Sequence, residues 1–157
     1  MEPLDWVGMF KRYVGNDLMT PYFVAVDRLS RSQANNELFA YALFMAVLFG
    51  SLGIVALSPD LPHGDALGVS LYAFLVAGAA VFFVYSKQPA PAAICASAPL
   101  GVLIYFALYG FHPNAGLGDK VLQVIIVLLW LRYSWRILRI AQAYPTLRNV
   151  NPPVSGP

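Results

Sequence analysis

The chain has 157 residues and a formal net charge of +2; 59% of its residues are hydrophobic and only 11% are charged. Ordinary globular chains are about 45–50% apolar and about 25% charged, so the balance excludes a soluble single domain. No nucleic-acid partner is expected.

Residues 1–35 hold Glu2, Asp5, Lys11 and Arg12 where a cleavable signal peptide would have its apolar stretch. In PLDWVGMFKRYVG, helical spacing puts Trp6, Phe10 and Tyr13 on one face and the charges elsewhere. That pattern predicts an amphipathic arm lying in the membrane interface with its aromatics turned inward. After it, TPYFVAVDRL predicts a second helix, with Thr20 as N-cap and Pro21 in its first turn. SRSQANN then breaks the pattern, and Asn35 or Asn36 is expected to cap the first membrane span.

Residues 36–143 read as four transmembrane helices. A helix rises about 1.5 Å per residue, so about 20 apolar residues cross a hydrocarbon core about 30 Å thick. Residues 38–57, 66–86 and 91–111 carry no charge and meet that length. The fourth span, predicted over 119–143, is less clear, because only eleven uncharged residues separate Lys120 from Arg132. Those eleven make roughly 16 Å of helix, so a full crossing takes Arg132 below the headgroups. Basic residues decide the count. With four spans, Lys11, Arg12, Arg28, Arg31, Lys87, Arg132, Arg136, Arg139 and Arg148 fall on one side and Lys120 alone on the other. The positive-inside rule then places both termini in the cytoplasm. Three spans would scatter that asymmetry.

Arg132, Arg136 and Arg139 follow i, i+4, i+7 spacing and share one helical face. Their stems can run along apolar surface while the guanidinium groups reach the interface. Trp130 and Trp135 are aromatics of the headgroup level. The same residues are candidates for contact with anionic lipid or a partner protein, as are Trp6 and Phe10 in the arm. A deep arginine is costly without a partner, which nominates an ion pair between Arg132 and Glu37.

Small residues suggest the helix-packing faces: Ala42, Ala46 and Gly50 in the first span, Ala73, Ala77 and, one residue short of the next step, Ala80 in the second, Ala93, Ser97 and Gly101 in the third. Pro99 is expected to kink the third span by freeing the carbonyl of Cys95. The two outer loops each end in Gly-Asp, so Asp65 and Asp119 are candidate N-caps. Residues 144–157 lack apolar periodicity and read as a flexible tail.

Candidate chemistry is sparse. His63, His112 and Asp60 share the outer side and form a weak metal-ligand set without ligand spacing. The first three spans contain no histidine, lysine or carboxylate within their uncharged cores to serve a nucleophile or carry a proton. Cys95, the single cysteine, reads as a small buried hydrophobe. The expectation is an all-α, four-helix integral membrane protein without a cofactor or enzymatic activity, in a bacterial cytoplasmic membrane. Its expected role is an accessory or scaffolding subunit, acting as a homo-oligomer or with a partner membrane protein and touching anionic headgroups. A carrier or binder of a lipid or other apolar molecule is the competing expectation.

Overall fold

The computed structural model describes residues 22, 24–59, 66–111 and 114–149. Among these the protein is all-helical. Its four long helices are α1 (Arg31–Val55), α2 (Leu67–Ser86), α3 (Pro89–Tyr109) and α4 (Leu117–Ala143). All four are long and apolar enough to cross a membrane. Short 3-10 turns at Val26–Arg28 and Tyr144–Thr146 flank the bundle. The predicted amphipathic arm, with Trp6, Phe10, Thr20 and Pro21, lies outside the described residues.

The helix ends follow from local chemistry, in places not the expected chemistry. SRSQ opens α1: the Gln33 N–H donates to Ser30 Oγ at 3.2 Å, and the Ser30 N–H donates to Gln33 Oε1 at 2.9 Å. This reciprocal capping box satisfies two otherwise orphaned donors. It overrules the expected cap at Asn35 or Asn36, which sit inside the helix. The expected helix over TPYFVAVDRL is likewise reduced to the 3-10 turn within its described part. Asp119 is in the first turn of α4, where its carboxylate accepts the Gly116 N–H at 3.0 Å. Between α2 and α3, Lys87 adopts the left-handed conformation (φ 53°) and donates its N–H to the Phe83 carbonyl. Only Lys87 and Gln88 separate these helices, so they run antiparallel as neighbours.

The packing is inverted relative to a water-soluble protein. Phe39, Val47, Ile54, Leu71, Phe82 and Leu108 are exposed, a surface that only hydrocarbon or another protein can cover favourably. Small residues such as Ala42, Ala73, Ala80, Ala92 and Ala98 are buried between helices, as close backbone approach in a bilayer requires. Larger buried groups, among them Met45, Phe83, Ile137 and Ile140, fill the centre. α1 packs most extensively on α2, α3 joins α2 to α4, and α4 closes back on α1.

Three of the expected packing contacts shift. In α1 the close approach is at Gly53, where an added Cβ would lie 3.0 Å from the Phe74 ring; Gly50 has open space beside it. In α3 the buried line is Pro91, Ala92, Cys95, Ala98 and Pro99, while Ala93 is exposed. Ala77 in α2 is half-buried, whereas Ala73 and Ala80 are fully enclosed. Four-residue spacing drifts around a helix that turns every 3.6 residues, so the true contact line mixes steps of three and four. Helix α3 continues through the buried Pro99.

Candidate functional site

The polar chemistry of the described residues gathers along the seam between α1 and α4 and at the end of the bundle where that seam opens. Glu37 lies six residues into α1, on the face it shares with Ala34, Leu38 and Tyr41, and its side chain is fully buried. Arg136 reaches it from α4. Its Nε donates to Glu37 Oε1 at 2.6 Å and its Nη2 to Oε2 at 3.1 Å, a forked pair. The remaining terminal nitrogen, Nη1, donates to the Val24 carbonyl at 2.7 Å. The fork matches guanidinium to carboxylate and fixes direction as well as charge. Burying either charge alone would be strongly unfavourable.

The ion-pair partner is therefore Arg136 and not Arg132. Depth explains the difference. Glu37 is about 9 Å from the start of α1, and Arg136 is about 10 Å from the end of the antiparallel α4; Arg132 is about 16 Å from that end. Arg132 is exposed, as is Arg139, so the three arginines do not act together although they share a helical arc. The same depth rule matches Tyr41 with Ser134, whose hydroxyls lie 2.9 Å apart. Nearer the end, the Tyr144 hydroxyl donates to Asn35 Oδ1 at 2.8 Å. Trp130 is half-buried against Phe44 and Phe49, with ring centroids 6.2 and 6.1 Å away, whereas Trp135 is exposed.

Below this ladder the segments flanking the bundle are tied together. The Arg31 N–H donates to the Arg148 carbonyl at 3.0 Å, and Ser30 and Arg148 form an isolated parallel bridge. The Arg31 side chain donates to the Pro145 carbonyl at 3.1 Å and lies over the Tyr144 ring, 5.5 Å from its centre. Hence the segment leading into α1 and the one leaving α4 meet at one end of the bundle. Arg28, Arg31, Lys87, Arg136, Arg139 and Arg148 belong to that end, and Arg132 lies toward it; Lys120 starts α4 at the opposite end.

Two depressions accompany these contacts. The larger, about 750 Å³ and open, lies between the Val26–Arg28 turn and the end of α4. Arg28, Arg139 and Arg148 line it with Asp27, Gln142 and Thr146, over a floor that includes the buried Leu29 and Leu147. The smaller, about 150 Å³, is an apolar crevice between α1 and α2 with Ala42 and Ala46 beneath Phe39, Leu43 and Tyr85. Neither lies beside Pro99. His63, His112 and Asp60 lie outside the described residues, and among the described residues no three metal-binding side chains cluster.

Sequence spacing alone missed Arg28, Arg148, Tyr144, Tyr41 and Ser134. The S-x-x-Q signature at Ser30 was the available signal, since it fixes the start of α1 and with it the depth of every group on that helix. No family model matches the chain, and neither a curated protein nor a solved structure matches it.

Proposed function

We propose that the chain is a non-catalytic accessory or scaffolding subunit of a membrane assembly. In this reading it sits in a bacterial cytoplasmic membrane with both termini in the cytoplasm and the basic end among acidic headgroups. One observation carries the reading: four polar contacts within the spans each join one helix to another. Glu37 pairs with Arg136, Tyr41 with Ser134, Tyr72 with Ser97 at 2.7 Å, and Ser70 with the Gly53 carbonyl at 2.8 Å. Groups so engaged hold helices together, and the working surface is then the apolar exterior with its polar rim at one end. Intramembrane ionisable residues usually mark transport or proton pathways, but here the acid and base are closed into a structural pair.

Native mass spectrometry after mild-detergent extraction from the natural host tests this. A partner membrane protein at fixed stoichiometry, or a defined homo-oligomer, is the expected result; a lone chain carrying only an apolar ligand overturns it. That second outcome would favour the lipid-binder reading, which the apolar crevice between α1 and α2 supports. At about 150 Å³ it is smaller than ordinary drug-sized sites of about 300–1,000 Å³ and suits a stretch of acyl chain. Orientation is tested separately by cysteine labelling in intact cells. Cys95 is buried, so a cysteine introduced at Asn149 reports with little background, and protection from an impermeant reagent is expected.

A further inference from the structure

We infer that the groove between the Val26–Arg28 turn and the end of α4 is a binding site for a phosphate oxyanion, seated between Arg28, Arg139 and Arg148. Three guanidinium groups come from three separate segments of chain, whereas Asp27 is the only carboxylate in the lining among the described residues. Convergence of that kind differs from a general basic tint. Arg136 and Arg31 belong to the same end, but their forks are committed inward, to Glu37 and Val24 and to Pro145 and Tyr144. The groove arginines are instead exposed around a common space. Planar guanidinium forks bind phosphate in two-pronged fashion, and Thr146 and Gln142 add hydroxyl and amide chemistry to the lining. The site is also held in shape. The Arg31–Arg148 backbone bond fixes one wall relative to the other, and the buried Leu29 and Leu147 set the floor.

Position favours a phospholipid headgroup as the source of the phosphate. Trp135, 64% exposed, lies one turn before Arg139 on α4, and exposed tryptophan marks the headgroup level of a span. A lipid standing beside α4 would present its phosphodiester at the height of the groove. This inference refines the acidic-headgroup contact proposed above. It does not depend on which face of the cell membrane the basic end occupies, because nanodiscs offer both leaflets.

The full chain in nanodiscs of phosphatidylcholine containing a minority of phosphatidylglycerol provides the test, with co-purified lipid measured by native mass spectrometry. Arg28→Gln, Arg139→Gln and Arg148→Gln are each expected to lower retention of the acidic lipid about fivefold. Arg132→Gln removes the same charge from the helix that carries Arg139, about two turns deeper and outside the groove, and is expected to change it less than about twofold. Arg139→Lys separates fork from charge: the inference expects weakening, whereas diffuse attraction predicts none. In lipid-depleted detergent, inorganic phosphate that binds the wild type but not the groove variants supports the site with a soluble source. Equal losses in Arg132→Gln and the groove variants overturn it, as does the absence of both lipid and phosphate binding. Thermal unfolding of each variant in detergent confirms that the fold persists, since the Arg148 contact to Arg31 is made by backbone.

Discussion

Helix α1 has two unlike seams. Against α2 it closes mainly on small residues: Ala42, Ala73 and Ala80 are buried, Gly53 receives the Phe74 ring, and Ser70 bonds the Gly53 carbonyl. Against α4 it closes by filling, with aromatic rings, a hydroxyl pair and a buried ion pair spanning a wider gap. In a bilayer no hydrophobic force separates inside from outside, so either tight contact or polar pairing must supply specificity. Here a single helix uses both. The first seam sets distance, whereas the second sets register, because a forked ion pair and a hydroxyl pair tolerate little sliding.

The largest expected effect breaks the second seam. Arg136→Leu should destabilise the protein in detergent by about 3–5 kcal/mol, since it leaves Glu37 buried and uncompensated. Adding Glu37→Leu should restore part of that loss, while Arg132→Leu alone should stay within about 0.5 kcal/mol. Additive losses for the pair, measured by thermal or denaturant unfolding, would separate the two residues. Next comes the first seam. Gly53→Leu places a side chain against the Phe74 ring and should cost about 1–3 kcal/mol, whereas Gly50→Ala meets open space and should gain up to about 1 kcal/mol in helix propensity. Equal responses at the two glycines would return the contact line to the four-residue stripe. The smallest effect concerns the hydroxyl pair: Tyr41→Phe should cost about 0.6 kcal/mol, with Ser134→Ala adding little afterwards.

Much of the architecture was legible because it rests on long-range averages. Hydropathy over 20 positions fixes the spans even when single residues are ambiguous, so the segments over 66–86 and 91–111 fall close to α2 and α3. Contacts were less legible because they depend on phase. The ion pair illustrates this: with α1 begun at Asn35 or Asn36, Glu37 sits at the helix mouth and its depth misleads. Begun at Arg31, the same residue lies on the level of Arg136. The groove was hidden for another reason. Arg28 and Arg148 flank the helices and are 120 positions apart, and no periodicity on one element can bring them together.

Glu37 and Arg136 are 99 residues apart in sequence, which gives the pair a history as well as a geometry. At about 5–20 residues per second of synthesis, the carboxylate waits on the order of 5–20 s before its guanidinium has been made. During that interval three helices can insert, but the first carries its acid without the forked partner that α4 later supplies. Before the final crossing the α1 face has neither its ion pair nor its hydroxyl pair, so the register of the bundle is set last.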